Sequence, residues 1–160
     1  LTIMGRMDIS ALIAAVQTLN AEDAFRPRLN AEQWRVLGQY LSRHELRAGD
    51  LLIRQGEGDR AMYLLEQGSL QVYATGAPPG TRIAILRPGA VVGELSLFVD
   101  GPRGANVETM TPCVVWALRG PRVEELAQRV PALALEVLRA AGAVMAVRMR
   151  ATLARQMPMA

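Results

Sequence analysis

Lysine is absent from the 160 residues, cysteine and histidine occur once each, and aromatic residues make up only 4%. Each scarcity excludes something. With Cys113 as the sole thiol, no disulfide can form within the chain, which suits a reducing compartment and leads to the expectation of a cytoplasmic location. Cys113 sits in the apolar run Cys113-Val114-Val115-Trp116 and is expected to be a buried structural thiol. The lone His44 lies between Arg43 and Glu45, where a surface position without catalytic duty is expected. A single histidine supplies neither a His-rich metal set nor much scope for a Ser-His-Asp triad, so no metal and no enzymatic activity are expected. Long apolar runs are also missing. Glu136 and Arg139 interrupt the best of them, so no membrane insertion of this segment is expected, and no signal peptide is visible. The chain begins with Leu1 rather than Met, and the expectation is a piece of something longer.

What is present is a core-forming composition. Hydrophobic residues make up 51%, and with so few aromatics the core must be Leu, Val, Ile, Ala and Met. The length fits one domain, taken here as 1–160. The net charge of +3 is carried by scattered arginines rather than a basic stripe. Only Arg148, Arg150 and Arg155 come close to clustering.

Three textures follow one another. In residues 1–43, Asp8 can cap a helix over Ile9–Leu19, with Ile9, Leu12, Ile13, Val16 and Leu19 at helical spacing. After a break at Arg26-Pro27-Arg28, Asn30 can cap a second helix with Gln33 three positions on, burying Trp34, Leu37 and Leu41. Residues 44–118 are punctuated by glycines, with short strand-like runs at 51–53, 62–65, 70–73, 82–86 and 114–116. That spacing predicts a jelly roll or small barrel, with Ala77-Pro78-Pro79-Gly80 as an exposed hairpin tip. Residues 121–157 return to helix, Pro121 and Pro131 each suiting a first helical position. The fold class is therefore α+β: an antiparallel jelly-roll β-roll flanked by N-terminal helices and a long C-terminal helix pair.

One stretch does not fit ordinary scaffold. Residues 93–107 join two strand-like runs by a connection too long for a turn, and Leu95, Leu97 and Phe98 within it predict one helical turn packed on the core. The free N–H groups of such a turn suit an anion. Gly93 allows close backbone approach, Arg103 supplies a planar charged fork for phosphate, Gly104 leaves that side open, and Glu94 offers acceptors for a sugar hydroxyl. The alternative is that Glu94 and Arg103 pair with each other and merely hold the loop shut; spacing alone does not choose.

Gly93-Glu94-Leu95 followed by Pro102-Arg103-Gly104-Ala105 resembles the phosphate-binding cassette of the cyclic-nucleotide-binding domain family, as found in bacterial cAMP-receptor-like sensors. Gly49-Asp50, Gln55-Gly56-Glu57, Tyr63 with Gly68-Ser69-Leu70, and Pro88-Gly89 match that family's β-roll in the same order, and the resemblance spans about residues 30–157. It implies that Arg103 binds the exocyclic side of a cyclic phosphate and that Glu94 accepts from the ribose 2′-hydroxyl. Backbone N–H groups near Leu95 and Ala105 would complete the phosphate cradle, and Val72, Ile83, Ala84, Val91 and Val92 would line the pocket. Gly104 departs from the frequent Ser, Thr or Ala, which removes a hydroxyl able to contact guanine; Asn106 stands where Thr or Ser is frequent, and Met62 replaces a usual Phe. The ligand expected on these grounds is cAMP, with cGMP possible.

The last helix acts in this family as a lid or dimer seam. Here Leu133, Val137, Ala140, Val144 and Val147 form one apolar track, and Leu135, Leu138, Gly142, Met145 and Met149 form another. One track can pack on the β-roll. The other calls for a homodimer partner or a neighbouring effector domain, unless the N-terminal helix covers it. Arg148, Arg150 and Arg155 are candidates for stacking on the base. A regulatory sensor transmitting binding through these helices is the expected function. Competing readings are a cyclic-dinucleotide site, a module that only dimerises, and a cupin-like metalloenzyme, the last failing on ligand count. No helix-turn-helix follows residue 157, so direct DNA binding by this chain is not expected.

Overall fold

The computed structural model describes residues 8–78 and 81–156. The chain runs through α1 (Ser10–Thr18) and α2 (Ala31–Gly38), then strands β1 (Ser42–Leu46), β2 (Leu51–Ile53), β3 (Ala61–Gln67), β4 (Leu70–Tyr73), β5 (Ala84–Leu86) and β6 (Val91–Val92). A 3₁₀ turn at Glu94–Leu97 follows, then β7 (Asn106–Thr109), β8 (Cys113–Arg119), α3 (Gly120–Arg129) and α4 (Pro131–Gln156). The strands form two antiparallel four-stranded sheets, ordered β1-β8-β3-β6 and β2-β7-β4-β5. This is the α+β jelly-roll arrangement the sequence predicts.

Strands β3 and β8 are apolar at nearly every position because both their faces are buried. Met62, Leu64, Trp116 and Leu118 point to a core shared with the helices, which holds Leu12, Phe25, Trp34, Leu37, Leu126, Leu133 and Val137. Their alternate residues Tyr63, Leu65, Val115 and Ala117 point between the sheets, against Ile53, Leu70, Leu86 and Val107. The period of two along a strand makes this division. The helices pack mainly on the first sheet, and the site forms at the far edge, where the cassette passes between the roll and α4.

Local chemistry explains the helix boundaries. Asp8 accepts from the Ser10 N–H at 2.8 Å. Asn30 and Gln33 form a reciprocal capping box, each side chain accepting from the other's backbone N–H at 2.8 and 2.9 Å. Trp34 and Leu37 are buried and Leu41 is half-buried. Pro131 opens α4, and Pro121 lies in the first turn of α3.

Several boundaries differ from expectation. The roll begins at Ser42, because Ser42-Arg43-His44-Glu45-Leu46 pairs with β8 along its whole length despite lacking an apolar run. The cassette loop ends at Ala105, not Val107, since Asn106 and Val107 already belong to β7 and pair with Tyr73 and Val72 of β4. Of the three apolar residues expected to pack on the core there, only Leu97 is buried; Leu95 and Phe98 are exposed. Of the expected hairpin tip, Pro79 and Gly80 lie outside the described residues, as does residue 157 at the end of the expected helical region. Along α4, Leu133, Val137, Ala140 and Val144 are buried, while Leu135 and Met149 of the second track are exposed and Leu138 and Met145 half-buried.

Candidate functional site

A cavity of about 560 Å³ lies between the cassette, the second sheet and the last turns of α4. That size falls within the range of small-molecule sites, roughly 300–1,000 Å³. Val72, Ile83, Ala84, Leu86, Val92 and Val107 form its apolar floor. Residues 93–96 and 99–105 form one side, and Val147, Arg148, Ala151, Thr152 and Arg155 of α4 close over it. Glu22 and Asp23 reach the rim from the segment after α1.

Gly93 is where the cassette turns. Its φ of +80° belongs to the left-handed region, and a Cβ there would lie 2.7 Å from the Ala61 carbonyl oxygen and 2.8 Å from Arg103 Nη1. Only glycine admits both the turn and the guanidinium. Ser96 then ties the turn to β3: its hydroxyl sits 3.1 Å from the Ala61 N–H, which it accepts, and 2.8 Å from the Gly93 carbonyl.

Arg103 is buried, its side chain only 6% exposed. Its Nε and Nη2 donate to the two carboxylate oxygens of Asp59 at 3.1 and 2.9 Å, Nη2 also to the Ala61 carbonyl at 2.7 Å, and Nη1 to the Gly93 carbonyl at 3.1 Å. An arginine carries five N–H groups, so these bonds leave one Nη1–H without a partner among the described residues, at the wall of the cavity. The backbone of Arg103 is fixed too: its N–H donates to the Glu57 carbonyl and its carbonyl accepts from Gly56, at 2.7 and 2.8 Å. The arginine beside Asp59 holds that carboxyl below the usual carboxylate range. Held by four protein oxygens, this guanidinium is suited to an anion and incurs little ordering cost on binding.

Glu94 and Arg103 do not pair with each other. Glu94 Oε1 instead accepts from Arg148 Nη1 of α4 at 2.8 Å, and Arg148 also donates to the Val91 carbonyl and to Asp23, each at 2.8 Å. Of the three arginines considered for the base, Arg148 is thus engaged at the wall, Arg155 lines the cavity, and Arg150 is exposed and off the wall. Asn106 accepts from the Gln55 N–H and donates to Thr75, tying β7 to the flanking loops.

The structure brings Gly93, Glu94, Leu95, Arg103, Gly104, Ala105, Val72, Ile83, Ala84 and Val92 to one cavity. Val91 is not on it. Strand alternation in β6 sends Val92 to the cavity and Val91 into the helix-side core, where it is 1% exposed. Sequence reasoning missed Asp59, which reads as a turn residue between Gly58 and Arg60, and Asp23, whose partner lies 125 residues away. His44 hydrogen-bonds with Ser42, and no group of three or more His, Cys, Asp or Glu gathers to hold a metal among the described residues. No helix among them is long and apolar enough to cross a membrane.

Comparison with known proteins agrees with this geometry. A cAMP-dependent protein kinase regulatory subunit from Yarrowia lipolytica is 31% identical over 90 residues, covering 56% of this chain and 23% of that protein. The cGMP-dependent protein kinase egl-4 of Caenorhabditis briggsae is 30% identical over 105 residues, covering 66% of this chain and 14% of that protein. The chain therefore spans less than a quarter of either relative. A solved cyclic nucleotide-binding domain from Methylobacillus flagellatus shares the fold with a TM-score of 0.78 at 21% identity, over 92% of this chain and 81% of that one. The family model described as cyclic nucleotide-binding domain matches residues 43–130, more than half the chain and all of the roll from Arg43 through the cassette to α3. With that match laid over the Gly93–Ala105 cassette and its buried arginine, the chain belongs to the cyclic nucleotide-binding domain family.

Proposed function

We propose that this cyclic nucleotide-binding regulatory domain senses cAMP and passes binding through α4 to an effector domain or a second copy of itself. The observation that carries the reading is Arg103, buried at the cavity wall with four N–H groups used and one left. That remaining donor suits an equatorial or exocyclic phosphate oxygen. The N–H groups of Leu95 and Ala105, which have no protein acceptor among the described residues, complete the phosphate cradle. Glu94 takes the 2′-hydroxyl through the oxygen that Arg148 leaves free. Val72, Ile83, Ala84 and Val92 receive the flat face of the base. Gly104 offers no hydroxyl to guanine, which favours cAMP over cGMP, and the kinase regulatory subunit resembled by the chain is named for cAMP.

Titration calorimetry on ligand-free protein with cAMP, cGMP and a cyclic dinucleotide tests this. Saturable binding is expected with cAMP, weaker binding with cGMP, and none with the dinucleotide. Absence of binding to all three overturns the reading. Arg103→Ala is expected to weaken cAMP binding by about 2 kcal/mol or more, because the phosphate charge loses its buried partner.

A further inference from the structure

One guanidinium at the edge of the cavity joins three separate parts of the chain. Arg148 of α4 donates Nη1 to Glu94, Nη2 to the Val91 carbonyl and Nε to Asp23, all at 2.8 Å. Glu94 has no other charged partner among the described residues, and its side chain is only 11% exposed. A buried carboxylate needs such a partner, and its two oxygens are fixed in space only if one of them is held. Arg148 holds Oε1. Oε2 has no hydrogen-bond partner among the described residues, and Glu94 lines the cavity.

We propose that Arg148 is the positioning residue for Glu94: it fixes the carboxylate so that the free oxygen meets the sugar hydroxyl of the ligand, and so makes sugar recognition depend on where α4 sits. This rests on the reading of the cavity as a cyclic-nucleotide site with Glu94 on the 2′-hydroxyl. The planar fork is essential to the role. Its Val91 and Asp23 contacts set the position of the guanidinium independently of Glu94, and a flexible ammonium cannot reproduce three directed bonds. An oriented acceptor reads a hydroxyl well because little ordering remains to be done when the ligand arrives.

The test compares cAMP with 2′-deoxy-cAMP by titration calorimetry on the wild-type chain and on Arg148→Met. A hydrogen bond to a charged group implies that the wild type prefers cAMP by about tenfold to a hundredfold. Arg148→Met is expected to reduce that preference to about threefold or less. The deoxy comparison separates positioning from general damage, which would weaken both ligands alike. If the wild type binds both equally, the assignment of Glu94 to the sugar fails and the proposal falls with it. If the wild type discriminates and Arg148→Met discriminates as well, the site reading stands and the role given to Arg148 is overturned. Should Arg148→Met not fold, Arg148→Lys provides the same comparison: a reduced preference supports the proposal and an intact one overturns it.

Discussion

Gly93 and Gly104 stand eleven residues apart on the same cavity, yet they are glycine for opposite reasons. At Gly93 a side chain meets the Ala61 carbonyl and the Arg103 guanidinium, and the backbone is left-handed. Gly93→Ala is expected to cost at least about 1–2 kcal/mol of stability from the backbone alone, and to displace Arg103 enough to abolish cAMP binding; thermal unfolding and calorimetry check the two effects. At Gly104 an added Cβ meets nothing within 4 Å, and the backbone is not left-handed. Gly104→Ser should therefore fold normally and raise affinity for cGMP relative to cAMP by about tenfold, the value of one hydrogen bond of roughly 1–1.5 kcal/mol. Competition between the two nucleotides measures it. Glu94, Arg103 and Gly93 were legible in the sequence because they fall within one short stretch. Asp59 and Asp23 were not, because each meets its arginine across 44 or 125 residues and nothing local distinguishes it from a solvated turn carboxylate.

Helix α4 shows what an element adds to its residues. Gly142 lies in its middle, and an added Cβ would rest 3.9 Å from the Phe98 ring, an ordinary contact. Gly142→Ala is expected to stabilise the fold by about 0.5–1 kcal/mol, read from denaturant unfolding. The same helix anchors the N-terminal segment: Glu136 accepts from the Arg28 N–H at 2.7 Å and pairs with Arg139. The Arg139 guanidinium and the Arg28 N–H lower the Glu136 carboxyl to about 2 from an ordinary 4.5. A carboxyl lowered in the folded state contributes its full stability above about pH 4.5 and loses it as pH falls toward about 2. The stability difference between wild type and Glu136→Gln should thus be constant above pH 5 and shrink between roughly pH 4.5 and 2, in denaturant melts at matched pH. Helices α1, α2, α3 and α4 were legible because caps, prolines and apolar spacing act locally. Strand β1, with two charged residues and a histidine, and β6, with two residues, were not, because only pairing with β8 and β3 makes them strands.

At the scale of the molecule, the two tracks of α4 differ in burial. One packs on the roll; the other leaves Leu135 71% and Met149 62% exposed, seated two heptads apart. If that track is the seam of a homodimer, sedimentation should give a dimer for the wild type and a monomer for Leu135→Glu with Met149→Glu, with unfolding unchanged because both side chains already face outward. A monomeric wild type would leave the exposed track to a neighbouring domain. The roll itself has one further property. Ser42, where it begins, is paired with Ala117, near where it ends. The polypeptide thus arrives and departs along a single seam, and both flanking helical segments spring from the same corner. A roll with adjacent ends can be spliced whole into another gene at one point without cutting a strand, carrying its cassette with it. That portability suits a unit of this size that matches under a quarter of much larger kinase proteins.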